Sequence, residues 1–349
     1  MNSIRKSTQN KSIAVGAGLV ALDVIVNGSP STPAKLCAGG SCGNVLAILS
    51  FLGWSSNPIA RLNDNSAAEK LLYDFANFSI NTELISMTDD GVTPIIIHRI
   101  LKDGDGKPKH KFEFKIPQTN IWLPSYKPVL ASSVKDIISK KRSCNAFYFD
   151  RVNRSSIELA KYYKGLGAVI VFEPSSIVDN KQFKECLSIS DIVKFSKDRI
   201  SNYETLYPEP NAPLEIETLG EDGLRFRIKN RNNNKWMYNP AYKLDNWTDS
   251  AGAGDWCTAG IINELAFDGA NSFYNASTEE IQQSLKIGQI LGAINCLYDG
   301  ARGAMYNLDL KSVTTMVDCI LHNISYKTNI HSSHIDILTI NDFCFESIL

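Results

Sequence analysis

Long apolar runs, a surplus of one charge and internal repeats are all missing from this chain. No apolar run reaches the roughly 18 residues that a membrane-spanning helix needs, so we predict no membrane partner. The 36 Lys and Arg residues almost balance the 37 Asp and Glu residues, which gives a formal net charge of −1. A balance this even excludes a strongly basic nucleic-acid binder and an acidic solvated tail. We therefore expect a soluble, folded protein that binds no nucleic acid.

Cysteine pairs and clustered metal ligands are also missing. The eight cysteines are scattered with no C-x-x-C pair, and the five histidines have no metal-ligand spacing. These patterns favour neither a zinc site nor a disulfide scaffold. The apolar run 13–26 resembles a signal peptide only superficially, because Asp23 interrupts it and Gly16 and Gly18 punctuate it. We interpret the run as a buried strand and predict a cytoplasmic protein with reduced cysteines.

Two common nucleotide-binding signatures are absent or incomplete. The chain contains no G-x-x-x-x-G-K-[ST] motif, which excludes a P-loop as the phosphate-binding device. The segment Gly16–Ala21 matches the dinucleotide fingerprint G-x-G-x-x-A, but that fingerprint requires a helix to follow it. A β-rich stretch at 22–26 follows instead, and it ends in a turn. We therefore disfavour a dinucleotide-dependent oxidoreductase.

Short apolar strands and amphipathic helices alternate along most of the 349 residues. Residues 13–18 and 57–61 have the pattern of strands. Residues 43–52 and 66–77 have the pattern of helices, with Ser66 as the expected N-cap of the second. The segment 90–122 breaks this rhythm with a hairpin, and the last third of the chain is mostly helical. The length fits one large α/β domain or two ordinary ones.

The most informative segment is Asp249–Asp255, with the sequence Asp-Ser-Ala-Gly-Ala-Gly-Asp. Small residues at 251–254 let the backbone approach a ligand, and the apolar periodicity that follows predicts a helix. Backbone N–H groups at the start of this helix would bind a phosphate or a developing anion. Asp255 in the first turn would then act as the base in phosphoryl transfer. The alternative is a Gly-rich turn in which Asp255 only caps the helix.

Other segments offer groups for a polyhydroxy ligand or a nucleotide. Gly39 and Gly40 permit close backbone approach, and Asn44 at a helix entrance offers a donor and an acceptor. Asp23 lies just beyond the first strand, where open α/β sheets bind ligands. A helix-entry turn and a surface aspartate are the plain alternatives for these two sites. The segment Thr218–Gly223 joins two strands, either as a tight turn or as a loop over a nucleotide.

Together, these segments resemble the ribokinase-like carbohydrate kinases of the phosphofructokinase B type, from about Ile13 to Tyr306. The resemblance implies an α/β fold: a three-layer α/β/α sandwich with a mainly parallel central sheet and a small β lid. It also implies a single domain over 1–349, with a lid formed by about 23–38 and 90–122.

The resemblance implies a role for each matched residue. Asp255 would be the catalytic base, and the amides of Gly252, Ala253 and Gly254 would form the anion hole. The residues expected to bind ATP are Ser196, Thr218, Gly220 and Gly223. The residues expected to bind the substrate are Asp23, Gly39, Gly40, Asn44 and Asp150. In the lid, His98, Arg99 and Phe112 are candidates for setting substrate choice.

One segment departs from the family pattern. Where the family usually has Asn-x-x-Glu, this chain has Ser196-Lys197-Asp198-Arg199. In the family that glutamate helps to organise magnesium and phosphate, and Arg199 takes its place here. Either Asp198 or Glu204 substitutes for it, or Arg199 contacts phosphate directly, or the Mg²⁺ arrangement differs. No residue is therefore assigned to a metal.

The activity that the resemblance implies is ATP-dependent phosphoryl transfer to a hydroxyl of a sugar or sugar-like molecule. The implied cofactors are ATP and Mg²⁺, with a monovalent cation such as K⁺ as a further candidate. The implied partners are a small sugar or nucleoside and a second copy of the chain bound through the lid. Two alternatives stay open: a nucleoside kinase of the same fold, and a non-catalytic ligand-binding regulator, which Ser196 and Arg199 motivate.

Overall fold

Short segments rich in β-branched and aromatic residues form the inner strands of a large sheet. The computed structural model describes residues 4, 11–28, 33–106, 108–117, 119–244, 246–324 and 337–339. In the strand Ala146–Phe149, Ala146 and Tyr148 belong to one hydrophobic cluster, whereas Phe147 and Phe149 belong to another. Successive side chains of a strand point to opposite faces, so this sheet is buried on both faces.

The helices and strands have the following bounds. The strands are β1 Ile13–Ala17, β2 Ala21–Asn27, β3 Pro33–Gly39, β4 Ser55–Leu62, β5 Ile85–Met87, β6 Ile95–Lys102, β7 Pro108–Glu113, β8 Ala146–Phe149, β9 Val169–Phe172, β10 Ile192–Ser196, β11 Leu214–Thr218, β12 Gly223–Ile228, β13 Met237–Pro240 and β14 Ile337–Thr339. The α-helices are α1 Ser41–Phe51, α2 Ser66–Asn77, α3 Val134–Lys140, α4 Arg154–Gly165, α5 Asn180–Ile189, α6 Tyr203–Leu206, α7 Ala253–Leu265, α8 Gly269–Tyr274, α9 Thr278–Asn295, α10 Gly303–Asn307 and α11 Leu310–Leu321.

In the described residues, the central sheet has the strand order β13-β12-β11-β10-β9-β8-β1-β4-β5. All neighbouring strands from β11 to β5 pair in parallel, and β12 and β13 add an antiparallel edge. Residues of α1, α2, α7, α9 and α11 pack on one face, and residues of α3, α4 and α5 pack on the other. This arrangement confirms the predicted three-layer α/β/α sandwich with a mainly parallel sheet.

A second sheet has the strand order β14-β3-β2-β6-β7 in the described residues. Within it β2 and β6 are parallel, and the other pairs are antiparallel. The lid segments predicted at 23–38 and 90–122 overlap these strands, although residues 29–32, 107 and 118 lie outside the described residues. The strand β14 was not expected from the sequence. The single domain over 1–349 and the lid boundaries stay predictions, since the chain ends also lie outside the described ranges.

Helix α7 is held rigidly by a close contact with α9. A Cβ added at Gly288 in α9 would lie 2.6 Å from the carbonyl oxygen of Cys257 in α7, so only glycine allows this approach. The first turn of α7, which contains Asp255, is therefore fixed against the core. In the part of the chain that the structure describes, no helix is both long and apolar enough to span a bilayer.

Candidate active site

The parallel strands present candidate residues along one edge of the central sheet. Asp150 directly follows β8, Glu173 follows β9, Ser196 ends β10 and Thr218 ends β11. Carboxyl ends of neighbouring parallel strands lie side by side, and open α/β sheets bind ligands there. The structure therefore brings residues from four separate parts of the chain to one edge.

Asn44 and Asp255 meet directly although 211 positions separate them in the chain. The side-chain amide Nδ2 of Asn44, on α1, donates a hydrogen bond of 2.8 Å to Oδ2 of Asp255, on α7. Contacts between α1 and α7 hold these two helices together. The early glycine-rich segment and the late Asp249–Asp255 motif therefore form one site.

The start of α7 depends on glycine. Gly252 is the N-cap residue, with φ at 75°, and a Cβ there would lie 2.1 Å from the carbonyl oxygen of Ala301. The N–H of Ala253 donates a long hydrogen bond of 3.3 Å to the carbonyl of Ser250. Gly254 is exposed, so a ligand can reach the backbone of the first turn. Because the first N–H groups of a helix have no intrahelical acceptor, this turn can bind an anion.

Asp255 is held in a state suited to taking up a proton. Burial, together with the negative charge of Glu173, raises the pKa of Asp255 to about 7. The hydrogen bond from Asn44 and the charges of Lys194 and Arg199 oppose this rise. A carboxylate with a pKa near the working pH is present in its basic form and still binds a proton well. Asp255 can therefore serve as a general base.

Sequence reasoning missed the residues behind Asp255. Glu173 accepts hydrogen bonds from Nζ of Lys194 at 2.5 Å and from Oγ1 of Thr258 at 2.6 Å. Lys194 is buried in β10 between apolar neighbours, and a lysine in such a strand was the available signal. The Glu173–Lys194 ion pair acts on Asp255 from both members. Glu173 raises the pKa of Asp255, and Lys194 lowers it.

Asp23 is buried and only partly satisfied. It lies in β2, the strand that follows β1, and it is 7% exposed. A Cβ at Gly39 would lie 2.1 Å from its carboxylate, so glycine is required there. Burial raises the pKa of Asp23 to about 6, against the opposing effects of His98, Arg302 and the Gly40 amide. Its Oδ1 is buried and has no hydrogen-bond partner among the described residues.

Asp150 differs from Asp23 because its carboxylate has partners within the chain. The amide of Leu19 donates to Oδ1 at 3.0 Å, the Ser41 hydroxyl donates to Oδ2, and a guanidinium nitrogen of Arg151 lies 3.4 Å from Oδ2. Gly18 leaves room for this carboxylate, since a Cβ there would lie 1.9 Å from Oδ1. A substrate contact by Asp150 stays a prediction.

The residues expected to bind the nucleotide lie on adjacent strands and their loop. Ser196 and Thr218 are paired in register across β10 and β11. Gly220 has a φ of 62° and open space around it, and Gly223 has a φ of 111° against the backbone of β13. Arg199 is exposed, yet its charge lowers the pKa of both Asp255 and His110. This loop cluster is therefore open and lies within electrostatic reach of Asp255.

The second sheet contacts the start of the Asp249–Asp255 motif. Nε2 of His98, on β6, lies 3.4 Å from Oδ2 of Asp249, and Nδ1 of His110, on β7, lies 2.9 Å from Oγ of Ser250. Although burial favours its neutral form, His98 and the amides of Ala251 and Gly300 hold the pKa of Asp249 below its usual range. His98 therefore contacts the motif itself.

Arg99 and Phe112, the other two lid candidates, lie on β6 and β7. The Nε of Arg99 donates a hydrogen bond of 2.7 Å to Glu113 on β7, and the Phe112 ring packs 5.0 Å from the His98 ring. A role for these side chains in substrate choice stays a prediction.

Known kinases share this architecture. No family model matches the chain. A curated relative, the probable fructokinase-7 of Arabidopsis thaliana, is 23% identical over 303 residues, which span 79% of this chain and 82% of that protein. The fructokinase of Xylella fastidiosa with bound ATP superposes with a TM-score of 0.66 at 18% identity, over 87% of this chain and 98% of that one. A nucleoside kinase of Burkholderia thailandensis in complex with inosine gives 0.64 at 13%, over 89% and 98%.

This chain has the ribokinase-like kinase fold. The likeness extends over most of each chain. The fold that the sequence predicts is therefore confirmed.

Proposed function

We propose that this protein transfers the γ-phosphoryl group of ATP to a hydroxyl of a sugar or sugar-like molecule. The observation that carries the proposal is the geometry of Asp255. Its pKa is raised to about 7, and it lies on the first turn of a helix whose initial amides can receive an anion. A structural helix cap needs no such poised carboxylate.

Each part of the site has a task in this reaction. Asp255 takes the proton of the attacking hydroxyl, and Asn44 holds the carboxylate in place through its hydrogen bond of 2.8 Å. The backbone amides of Gly252, Ala253 and Gly254 stabilise the charge that moves with the phosphoryl group. Asp23, Gly39 and Gly40 hold the sugar.

ATP lies along the open edge of the central sheet in this proposal. It is bound by Ser196, Thr218, Gly220 and Gly223, of which Gly220 has open space around it. The likeness to a fructokinase with bound ATP supports ATP as the nucleotide.

Mg²⁺ would arrive with the nucleotide. Within the described residues, no group of three or more His, Cys, Asp or Glu side chains is arranged to hold a metal ion. This suits Mg²⁺, which keeps several waters and binds substrate phosphates rather than an all-protein cage. K⁺ stays a prediction from the resemblance. Comparing turnover in K⁺ and in Na⁺ at equal ionic strength tests it.

The direct experiment measures ATP consumption with D-fructose, D-ribose, D-glucose and inosine, for the wild type and for Asp255→Asn. We expect turnover with at least one of these compounds and a loss of about 10²–10⁴-fold in Asp255→Asn. Asp136→Asn is the matched control, because it makes the same chemical change at an exposed position of α3. Turnover that survives Asp255→Asn would overturn the base assignment.

Two other functions are distinguished by the same assay. A preference for inosine would favour a nucleoside kinase, as the likeness to the Burkholderia enzyme suggests. Ligand binding without any turnover would favour the regulator. Ser196 and Arg199 motivate this alternative, since both depart from the family pattern and Arg199 brings a positive charge where the family has a glutamate. Its charge nevertheless favours the basic form of Asp255.

We also propose that two copies of the chain pair through the lid, at the segment 114–122 that follows β7. Phe114, Ile121 and Trp122 are 52%, 59% and 70% exposed, which is unusual for side chains of this size. Light scattering should show a dimer for the wild type and a monomer for Trp122→Glu. A wild-type monomer at micromolar concentration would contradict the pairing.

The proposed location is the cytoplasm. The free state of seven cysteines in the described residues supports this location. Cell fractionation tests it.

A further inference from the structure

Two residues that line one cavity each have a buried polar atom without a hydrogen-bond partner in the described part of the chain. These atoms are Oδ1 of Asp23 and Nη1 of Arg302, in side chains that are 7% and 2% exposed. Both residues line the cavity that Asn44 also lines. A buried donor or acceptor without a partner is costly, and native structures contain few of them. A ligand that satisfies both atoms would recover this cost.

In the described residues, the hydrogen bonds of the Arg302 guanidinium engage Nη2 but not Nη1. Its Nη2 donates to the carbonyl oxygen of Ala38, to Oδ2 of Asp74 and to Oη of Tyr306. Asp74 in turn accepts the N–H of Ala38 at 2.8 Å. The ion pair therefore holds the backbone N–H and C=O of Ala38 in β3, which pairs with the strand that carries Asp23. Nη1 has no hydrogen-bond partner among the residues that the structure describes.

The charges of this cavity are nearly compensated. Lys35 lies 3.5 Å from Asp299, and Arg302 is paired with Asp74. The Cys37 thiol stays neutral, because burial raises its pKa to about 12. Within the described residues Asp23 forms no ion pair, so the two pairs and an ionised Asp23 together carry a net negative charge, which includes Asp74 just outside the lining. An anionic ligand would find no free cation among these lining residues and would be repelled by Asp23.

We infer that the acceptor is a neutral polyol, with one hydroxyl donating to Oδ1 of Asp23 and an oxygen of another accepting from Nη1 of Arg302. Arg302 is thus a substrate-binding residue that selects neutral sugars over sugar phosphates and sugar acids. This inference rests on the proposed function, because only a kinase would use the bound sugar as a phosphoryl acceptor. Its tests measure binding, so they remain decisive if no phosphoryl transfer is found.

The first test measures dissociation constants by calorimetry on the wild-type protein. The probes are D-fructose, D-ribose and D-glucose, with fructose 6-phosphate and gluconate as the anionic compounds. We expect a neutral sugar to bind most tightly and the anionic compounds to bind at least about tenfold more weakly. Tighter binding of an anionic compound, or no binding by any neutral sugar, would overturn the inference.

The second test removes one hydrogen-bonding group at a time. Arg302→Lys keeps the positive charge beside Asp74 but removes Nη1, and we expect it to weaken sugar binding by about tenfold or more while the ATP dissociation constant changes less than about twofold. Lys35→Met is the matched control, because it removes a cation of the same cavity that is already paired with Asp299. It should change sugar binding by less than about threefold. Equal effects of the two substitutions would contradict the role of Arg302.

Analogues of the tightest-binding sugar that lack a single hydroxyl keep the inference testable if Arg302→Lys does not fold. On the wild type, removal of either gripped hydroxyl should weaken binding by about tenfold, because it leaves a buried group unpaired. On Arg302→Lys, the analogue that lacks the hydroxyl bound by Nη1 should lose nothing further. If every analogue binds the wild type within about threefold of the parent sugar, the inference fails.

Discussion

The two sides of the candidate site are built in different ways. On the side proposed for the sugar, Asp23, Asp74 and Arg302 are 7%, 7% and 2% exposed and belong to one network of buried charges. On the side proposed for the nucleotide, Gly220 has open space around it and Arg199 is exposed. Buried charges fix geometry but make the fold depend on them, whereas an open loop can change at little cost to stability. Substitutions on the sugar side should therefore affect stability as well as binding, whereas substitutions on the nucleotide side should affect binding alone.

The largest effect is expected for Asp74→Ala on the sugar side. Removing this carboxylate leaves the Arg302 guanidinium buried without its counter-ion, so we expect the free energy of unfolding to fall by about 3–5 kcal/mol. Urea denaturation measures it. The control is Glu158→Ala, which removes a surface pair with Arg154 and should cost about 1 kcal/mol or less. Equal losses of unfolding free energy in the two variants would show that the buried Asp74–Arg302 pair stabilises the fold no more than a surface pair does.

A smaller effect, on binding rather than folding, is expected for Asp23→Asn. This change keeps the size of the side chain but removes the acceptor charge, so the KM for the sugar should rise by about 30-fold while the KM for ATP stays within about twofold. Steady-state kinetics with each substrate varied in turn measure the split. A rise in the KM for ATP of similar size would contradict the separation of the two sides.

The smallest effect is expected for Arg199→Gln on the nucleotide side. If Arg199 contacts phosphate, its loss should raise the KM for ATP by about fivefold to tenfold and leave the melting temperature unchanged, since the side chain is exposed. The control is Lys197→Gln, which removes an exposed positive charge two positions away. If the two variants have the same KM for ATP, Arg199 has no specific role.

Local patterns predicted most of the fold. Apolar strands that alternate with amphipathic helices were sufficient for the three-layer sandwich, because each pattern reports burial within a few residues. Details that depend on neighbouring side chains were missed. The N-cap of α2 is Asn65, whose side chain accepts the Ala68 amide, and not Ser66, since both residues suit a cap and only the geometry decides.

The candidate site was predictable only where its residues are contiguous. The motif Asp249–Asp255 contains a phosphate-binding turn and a carboxylate in seven successive residues, so its chemistry could be inferred from the sequence. Arg302 and Asp74 lie 228 positions apart, and no local pattern links them. Glu173 was missed for the same reason, because its effect on Asp255 arises only when β9 and α7 are neighbours.

The central claim is that Asp255 is the base, and the most direct test is the pH dependence of a single turnover at saturating ATP and sugar. The raised pKa of Asp255 means that its basic form is lost as the pH falls through about 7. We therefore predict that the rate of phosphoryl transfer rises with pH to a plateau, with an apparent pKa of about 7, and that Asp255→Asn is slower by about 10²-fold or more without this rise. A wild-type rate that is constant from about pH 5 to about pH 9, or an Asp255→Asn variant that keeps the same rise, would contradict the account.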